Sequence, residues 1–168
     1  MALLELVHFP DPCLRVKTKL ITDITENVRR IVTDMYETMY ANNGVGLAAT
    51  QVGLDRRIFV MDVSETRDQP MCVINAEILS REGSRREGEG CLSVQGVYDV
   101  VERANKIRFR GMDLEGKIFE WDAENLMAHC VQHEVDHLDG ILFIDHLSRL
   151  KQERVRKKIE KSKRRERS

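Results

Sequence analysis

The sequence contains no apolar run approaching the roughly 20 residues that a helix needs to cross a bilayer, so a membrane-spanning helix is not expected. Its first residues include Glu5 but no basic leader and no small-residue cleavage site, which predicts the absence of a secretion signal. With 168 residues, 42% of them apolar and 33% charged, the chain is long enough for one folded domain. We therefore expect a cytoplasmic globular protein.

The sequence also lacks the regular cysteine spacing of a disulfide framework. Its four cysteines are Cys13, Cys72, Cys91 and Cys130. Their irregular spacing, without a secretion signal, favours reduced thiols in the cytosol. At least one of them is then available as a metal ligand or nucleophile, whereas the others fit the ordinary role of small buried side chains.

The net charge of −1 conceals two segments of opposite charge. Residues 149–168 contain eleven Lys or Arg against three Glu, a segment charge of +8, so residues 1–148 carry −9. The basic segment has no aromatic residue. Such a charge favours a phosphate-rich surface by counterion release, without recognition of a base sequence.

Three helices are predicted from the apolar spacing. The first covers residues 25–41, with Thr25 as its N-cap. The second begins with Asp122 as its N-cap and ends at Gly140. The last, residues 150–164, has too few apolar residues to bury a wide face.

Short β-type runs separated by turn signals lie between the first two helices, at residues 57–63, 71–78, 97–101, 107–112 and 117–121. A further apolar segment, residues 141–144, is expected to be short and buried. No internal repeat or linker interrupts the chain. The predicted class is α+β, with antiparallel sheets.

The sharpest local signal is an H-E-x-x-H pattern at residues 133–137, within the second predicted helix. His133 and His137 are four residues apart and therefore lie on one helix face, where both imidazoles can bind one metal ion. Glu134 can then take a proton from the attacking water as a general base. The alternative is a solvated helix face with satisfied histidines.

Two histidines leave a third ligand to be found. A metzincin would need a histidine where Phe143 stands, and a thermolysin-like enzyme would need a downstream Glu. Only Glu160 and Glu166 remain downstream, both inside the basic segment. The third ligand must therefore come from upstream, where Cys91 is the candidate. A thiolate with two imidazoles and an open position is typical of a catalytic site.

A third segment, G-V-G-L-A-A-T-Q at residues 44–51, places two glycines before a short apolar run. Such a sequence predicts backbone held open against a ligand, followed by a short helix. It lacks the third glycine of a dinucleotide site and the lysine of a phosphate loop. From the pattern alone, a glycine-rich turn is the default interpretation.

Taken together, these segments resemble the peptide deformylase family. Residues 44–51 are similar to its G-x-G-L-A-A-x-Q motif, residues 89–93 to E-G-C-L-S, and residues 132–137 to Q-H-E-x-D-H. Their order and spacing agree as well, and the resemblance extends over nearly the whole chain. It implies a hydrolase that removes the N-formyl group from the N-terminal formyl-methionine of nascent polypeptides and releases formate.

The resemblance implies that one divalent metal ion is bound by Cys91, His133 and His137. In most relatives the metal in the cell is Fe²⁺, and a Cys/His/His set also accepts Zn²⁺, Ni²⁺ or Co²⁺. By the same resemblance, Glu134 takes the proton of the attacking water and delivers it to the departing amine. Negative charge on the formyl oxygen is stabilised in relatives by the metal, the Gln51 amide and the backbone N–H of Leu92.

The resemblance also implies an apolar pocket for the methionine side chain, lined in relatives at the positions of Val45, Gly46, Leu126, Cys130 and His133. Glu87 and His129 depart from the family pattern, because many relatives have an apolar residue at these positions, or sometimes Arg at that of His129. We expect these two residues to affect substrate preference. No departure falls on a ligand, the base or a donor to the formyl oxygen.

In relatives the C-terminal helix docks near the ribosomal tunnel exit. The resemblance thus implies a catalytic domain, residues 1–148, and a basic helical tail, residues 149–168, that contacts the ribosome. We expect a monomer. Two alternatives remain: another metallohydrolase or metallopeptidase on the same site, and a ribosome-associated metal protein without activity. The second is disfavoured by Glu134 and Gln51, since neither is needed merely to bind metal.

Overall fold

The computed structural model of the protein describes residues 3–167, and it confirms the α+β class. The described residues contain three α-helices: α1 (Glu26–Ala41), α2 (Asn125–Leu138) and α3 (Arg149–Arg167). They contain seven strands: β1 (Gly46–Ala48), β2 (Ile58–Met61), β3 (Met71–Glu82), β4 (Arg85–Cys91), β5 (Val94–Arg103), β6 (Lys106–Met112) and β7 (Ile118–Glu124). Within this range, no helix is long and apolar enough to span a bilayer.

The strands form two antiparallel sheets. Five of them pair in the order β1-β2-β3-β6-β7, and β4 and β5 form a separate hairpin. Strand β2 is buried at all four positions. Ile58 and Val60 pack in a hydrophobic cluster with the buried residues of α1. Phe59 and Met61 pack in a second cluster with buried residues of α2. Because successive strand residues point to opposite faces, α1 and α2 cover the two faces of the large sheet.

Helix α2 lies between the large sheet and the β4–β5 hairpin. Val131 and Leu138 are fully buried in the cluster that α2 shares with the sheet. On another side of α2, the His133 ring is stacked 6.1 Å from Phe143, which packs with Val94 and other hairpin residues. The prediction that antiparallel sheets surround the helix with the H-E-x-x-H pattern is confirmed.

The predicted start of α1 at Thr25 and the predicted end of α2 at Gly140 are confirmed. The Thr25 side-chain oxygen accepts a hydrogen bond from the Val28 N–H at 3.3 Å and caps α1. Beyond the end of α2, Gly140 has a φ of +76°, which a residue with a side chain rarely adopts. A Cβ at Gly140 would also overlap the backbone of Arg15, so this turn requires glycine.

The predicted start of α2 is wrong. Strand β7 continues through Glu124, and α2 begins at Asn125 without a side-chain cap. Asp122, the predicted N-cap, lies in β7 and forms an ion pair of 3.1 Å with Arg108 of β6. The contact with the neighbouring strand takes the place of the local cap.

Two strands, β1 and β4, are not predicted by the sequence. Glycine disfavours strands, and β4 contains Gly88 and Gly90. In the hairpin, the Tyr98 ring lies so close to Gly88 that a Cβ there would overlap it. Gly88 therefore allows the Tyr98 ring to lie against β4. The strand ends at Cys91.

The region after α2 agrees with the prediction except at one residue. Residues 142–144 are buried, whereas Ile141 is 37% exposed, and a short 3₁₀ turn spans Phe143–His146. Helix α3 is slightly longer than predicted. It buries Val155 in the hydrophobic cluster that contains Val94 of the hairpin and Phe143, with Ile159 partly buried beside it. As predicted, this helix buries only a narrow face.

Candidate functional site

Cys91, His133 and His137 converge between α2 and the end of β4. One sulfur and one nitrogen from each ring lie within 4.8 Å of one another. The Cys91 Sγ is 3.3 Å from the His137 Nε2, and the two imidazole centroids are 4.9 Å apart. One thiol and two imidazoles at these separations form a donor set suited to a divalent transition metal.

Glu89 orients the first histidine. Its Oε1 is 2.6 Å from the His133 Nδ1. Because an ionised carboxylate only accepts hydrogen bonds, Nδ1 carries the proton and Nε2 keeps its lone pair for a metal. Burial alone would raise the pKa of Glu89, but hydrogen bonds from His129, His133 and Arg103 hold that pKa well below its usual range. The carboxylate is therefore charged where it contacts His133.

Sequence reasoning did not identify the residues that support Glu89. Arg103 of β5 donates to both Glu89 oxygens, at 2.5 and 3.0 Å, and to Asp136 at 2.9 Å. Glu89 and Asp136 lie inside the two motifs that carry the ligands, so their proximity in sequence was a signal. Arg103 has no such local signal, and only the pairing of β4 with β5 brings it to the site.

The second histidine is suited to bind metal in its neutral form. Burial, together with the positive charge of Arg103, holds the pKa of His137 well below its usual value. The His137 Nδ1 and the Glu134 Oε1 are buried polar atoms without a hydrogen-bond partner among the described residues. Such atoms are rare in native interiors unless a bound group or water completes them. The residues present fit a metal centre because their thiol sulfur and two imidazole nitrogens converge within 4.8 Å of one another.

Glu134 lies on α2 beside this donor set and is 3% exposed. Burial raises the pKa of its carboxyl to about 7. Gly46 packs directly on this carboxyl group. A Cβ at Gly46 would lie 3.0 Å from the Glu134 Cδ and 3.1 Å from its Cγ, and it would overlap Oε2. The glycine therefore leaves the space that the carboxylate occupies.

The glycine-rich segment forms β1 and a 3₁₀ turn, Ala49–Val52, that carries Gln51 to the same place. The Gln51 Oε1 accepts a hydrogen bond from the Ala48 N–H at 2.9 Å, which orients the side-chain amide. Its Nε2 consequently faces the Ser93 Oγ at 3.2 Å and the Cys91 Sγ at 3.5 Å. Leu92 follows Cys91 in the turn between β4 and β5.

A cavity of about 850 Å³ opens beside these residues. It is lined by Cys91, His133, Glu134, Gln51 and Leu92 among others, and the other four predicted pocket residues line it as well: Val45, Gly46, Leu126 and Cys130. Val45 and Leu126 are 41% and 46% exposed and lie toward the mouth, whereas Cys130 is buried. The predicted site residues are thus brought to one cavity, with His137 fully buried behind its wall.

Comparisons with known proteins agree with this arrangement. The family model of polypeptide deformylase matches residues 3–153. A peptide deformylase of Alkalilimnicola ehrlichii is 53% identical over 162 residues, which is 96% of this chain and 91% of that protein. The crystal structure of a peptide deformylase from Legionella pneumophila superposes with a TM-score of 0.92, at 41% identity and over 98% of each chain.

A second solved structure is that of a peptide deformylase from Ehrlichia chaffeensis in complex with actinonin. It superposes with a TM-score of 0.93 at 37% identity, over 98% of this chain and 99% of that one. The family assignment rests on sequence identity over nearly the full length of the chain together with the same fold. The chain belongs to the polypeptide deformylase family, and it is a metal-dependent hydrolase that removes the N-formyl group from nascent polypeptides.

Proposed function

We propose that Cys91, His133 and His137 bind the divalent metal of this hydrolase and that the formyl group reacts in the adjoining cavity. The observation that carries the proposal is the approach of three ligand atoms to within 4.8 Å of one another beside that cavity. Fe²⁺ is the metal proposed for the cell, with Zn²⁺, Ni²⁺ or Co²⁺ as substitutes. When bound, the metal supplies Lewis acidity toward the formyl oxygen and the attacking water.

Glu134 acts as the general base in this proposal. Its carboxylate takes a proton from the water whose oxygen attacks the formyl carbon. When the C–N bond breaks, Glu134 delivers that proton to the departing amine, so the products are formate and a peptide with a free N-terminal methionine. A pKa raised to about 7 by burial suits a group that both accepts and returns a proton near neutral pH.

Two donors are proposed to stabilise the negative charge that develops on the formyl oxygen. One is the Gln51 side-chain amide, whose orientation is set by the hydrogen bond from the Ala48 N–H. The other is the backbone N–H of Leu92, in the turn that follows Cys91. The methionine side chain is proposed to occupy the part of the cavity lined by Val45, Gly46, Leu126 and Cys130.

Removal of the metal is expected to abolish formate release from a formyl-Met tripeptide, because Lewis acidity is lost. Activity should return with Ni²⁺ or, anaerobically, with Fe²⁺. Replacing Cys91 with Ala should lower the metal content per chain, measured by elemental analysis. The matched control is Cys72→Ala, since Cys72 packs in the cluster of α1 away from the cavity. Formate release by metal-free protein, or full metal content in the Cys91 variant, would contradict the assignment.

The proposed partners are formyl-methionyl nascent peptides and the ribosome near its tunnel exit, met in the cytoplasm by a monomeric enzyme. We propose that residues 1–148 are the catalytic domain and residues 149–168 a basic tail for ribosome contact. The charge separation, +8 against −9, supports this division. In the N-terminal half of α3, Lys151 and Lys158 contact the β4–β5 hairpin, where they donate hydrogen bonds to Asp99 and to the Gly96 carbonyl. The basic side chains of residues 161–164 are exposed.

Neutralising Lys161, Lys163 and Arg164 together to Gln is expected to weaken cosedimentation with ribosomes. Loss of three phosphate contacts lowers the salt dependence of the logarithm of the binding constant by about 2 to 3. Pelleting would be measured between 50 and 200 mM salt, the range over which such contacts weaken (about 10³-fold or more for six contacts).

The matched control neutralises three exposed basic residues of the strands and turns: Arg81, Arg86 and Lys117. This variant carries the same net charge and should pellet like the wild type. Equal weakening in both triple variants would reduce the effect to net charge, and no weakening in the tail variant would remove the proposed contact.

A further inference from the structure

Residues 44–46 form part of the cavity wall and pack against two of the residues with proposed catalytic groups. A Cβ at Gly44 would lie 2.9 Å from the Cδ1 of Leu92, whose N–H is a proposed donor. Gly46 packs on the carboxyl group of Glu134, the proposed general base. A small displacement of this wall would therefore change the shape of the cavity and the surroundings of both groups.

Arg67, in the loop between β2 and β3, holds this wall through backbone carbonyl groups. Its Nη2 donates a hydrogen bond to the Gly44 carbonyl, and its Nη1 donates to the Asp62 carbonyl at 2.8 Å. Asp62 in turn donates from its backbone N–H to the Val45 carbonyl at 2.8 Å. Gly44 is buried, so its carbonyl needs a donor from the protein. The guanidinium group thus ties the cavity wall to the residue that follows β2.

The loop that carries Arg67 is organised around the buried carboxylate of Asp62. Its Oδ1 accepts hydrogen bonds from the N–H and the hydroxyl group of Ser64. Its Oδ2 accepts from the Tyr40 hydroxyl at 2.5 Å and from the Gln69 N–H at 3.2 Å. Burial alone would raise the pKa of Asp62, but the hydrogen bonds from Ser64 and Tyr40 lower it to about 2. The carboxylate is therefore charged near neutral pH, and it fixes the path of the loop.

The backbone of Arg67 has a conformation that its contacts must maintain. Its φ is +58°, in the left-handed region that residues with a side chain rarely adopt. The guanidinium carbon lies 5.1 Å from the centroid of the Tyr40 ring, a cation–π contact that orients the group. Such a backbone conformation persists when the surrounding structure over-determines it, and here the surrounding contacts direct the guanidinium group to the Gly44 carbonyl.

We propose that Arg67 is a positioning residue that determines how closely the cavity fits the first side chain of the substrate, because it holds residues 44–46 through the Gly44 carbonyl. The inference rests on the proposed use of this cavity for the methionine side chain. Without the guanidinium group, the buried carbonyl loses this donor and the wall can shift. The cavity then loses contacts with a long side chain that a short side chain never makes. Metal binding is not affected, since the proposed ligands lie on β4 and α2.

The test compares formyl-Met-Ala-Ser with formyl-Ala-Ala-Ser, which differ only in the first side chain. With the Ni²⁺-loaded full chain, the ratio of kcat/KM for the two peptides measures how well the cavity holds the longer side chain. Arg67→Met donates no hydrogen bond and is expected to lower this ratio by about tenfold, the effect of about one methylene group in an apolar pocket. Arg67→Lys retains a donor without the planar fork, so it should lower the ratio less. An unchanged ratio in Arg67→Met would overturn the proposal, and if that variant does not fold, an unchanged ratio in Arg67→Lys would do so.

The matched control is Arg29→Met. Arg29 of α1 also donates to a backbone carbonyl, that of Leu114 at 2.7 Å, in the turn between β6 and β7 and away from the cavity. A purely structural loss lowers the fraction of folded enzyme, so it lowers kcat for both peptides equally and leaves their ratio unchanged. Circular dichroism and metal content, measured on each variant, give the folded fraction directly. An equal fall of the ratio in Arg29→Met would assign the effect to general destabilisation and overturn the proposal.

The wild type separates failure of this proposal from failure of the proposed function. Equal kcat/KM for the two peptides in the wild type would contradict the proposed pocket for methionine. Release of formate from neither peptide, with metal bound, would contradict the proposed reaction itself. A wild-type preference for formyl-Met-Ala-Ser that Arg67→Met retains in full would contradict only the role of Arg67.

Discussion

Replacing Glu134 with Gln is expected to lower kcat for formate release by about 10² to 10⁴-fold while the metal content stays at that of the wild type. The amide has nearly the shape of the carboxylate but cannot accept the proton of the attacking water. Glu134 is not among the three side chains that converge as ligands, so the metal should remain bound. The measurement is formate release from a formyl-Met tripeptide, together with elemental analysis of each preparation.

A surface control is Glu65→Gln, which removes a carboxylate from an exposed loop and should retain full activity. Undiminished kcat in the Glu134 variant would show that another group takes the proton. Loss of metal together with activity would mean that Glu134 supports the site structurally. These outcomes are distinguishable because activity is expressed per bound metal.

Replacing Gly46 with Ala is expected to lower kcat by about 100-fold, the effect of a misplacement of about 1 Å in a catalytic group. The new methyl group would stand where the Glu134 carboxyl now lies, 3.0 Å from its Cδ. The end of the Glu134 side chain is therefore expected to move away from its present position, which misplaces the carboxylate for proton transfer. The same overpacking should cost about 1 to 3 kcal/mol in the free energy of unfolding, which chemical denaturation would measure.

The double variant Gly46→Ala, Glu134→Gln tests the origin of this effect. If Gly46 acts through the position of the Glu134 carboxylate, its replacement should reduce kcat little further once that carboxylate is gone. An additional 100-fold loss in the double variant would show that the methyl group obstructs the substrate directly. Metal content should remain unchanged in the single and the double variant, since the atoms nearest to a Cβ at Gly46 belong to Glu134 and not to a proposed ligand.

Features that depend on one short segment could be predicted from the sequence. Thr25 before an apolar run of helical spacing predicts α1, because capping and periodicity are both local. The H-E-x-x-H pattern likewise places His133 and His137 on one face of α2, whatever the rest of the chain does. The buried strand β2 is recognisable from its continuous apolar run, although not the fact that two different helices cover its faces.

Features that depend on contacts between distant segments could not be predicted in this way. Asp122 has the chemistry of an N-cap, yet Arg108 on the adjacent strand pairs with it and β7 continues. Gly88 by itself argues against a strand. In the structure, a Cβ at this position would overlap the Tyr98 ring, so the packing of the hairpin requires glycine there. In both cases a residue from another element outweighs the local preference, because packing and pairing in the folded state exceed intrinsic propensity.

The sequence by itself determined which side chains have the chemistry of the site: the thiol of Cys91, the imidazoles of His133 and His137, and the carboxylate of Glu134. Only the tertiary structure brings Arg103 onto Glu89, buries His129 in the cavity wall, and packs Gly46 against Glu134, the proposed general base. The physical reason is that chemistry belongs to single residues, whereas distance, burial and orientation arise when strands β4 and β5 close over α2. Those three quantities set the pKa of Glu134 and the polarity of the pocket beside it.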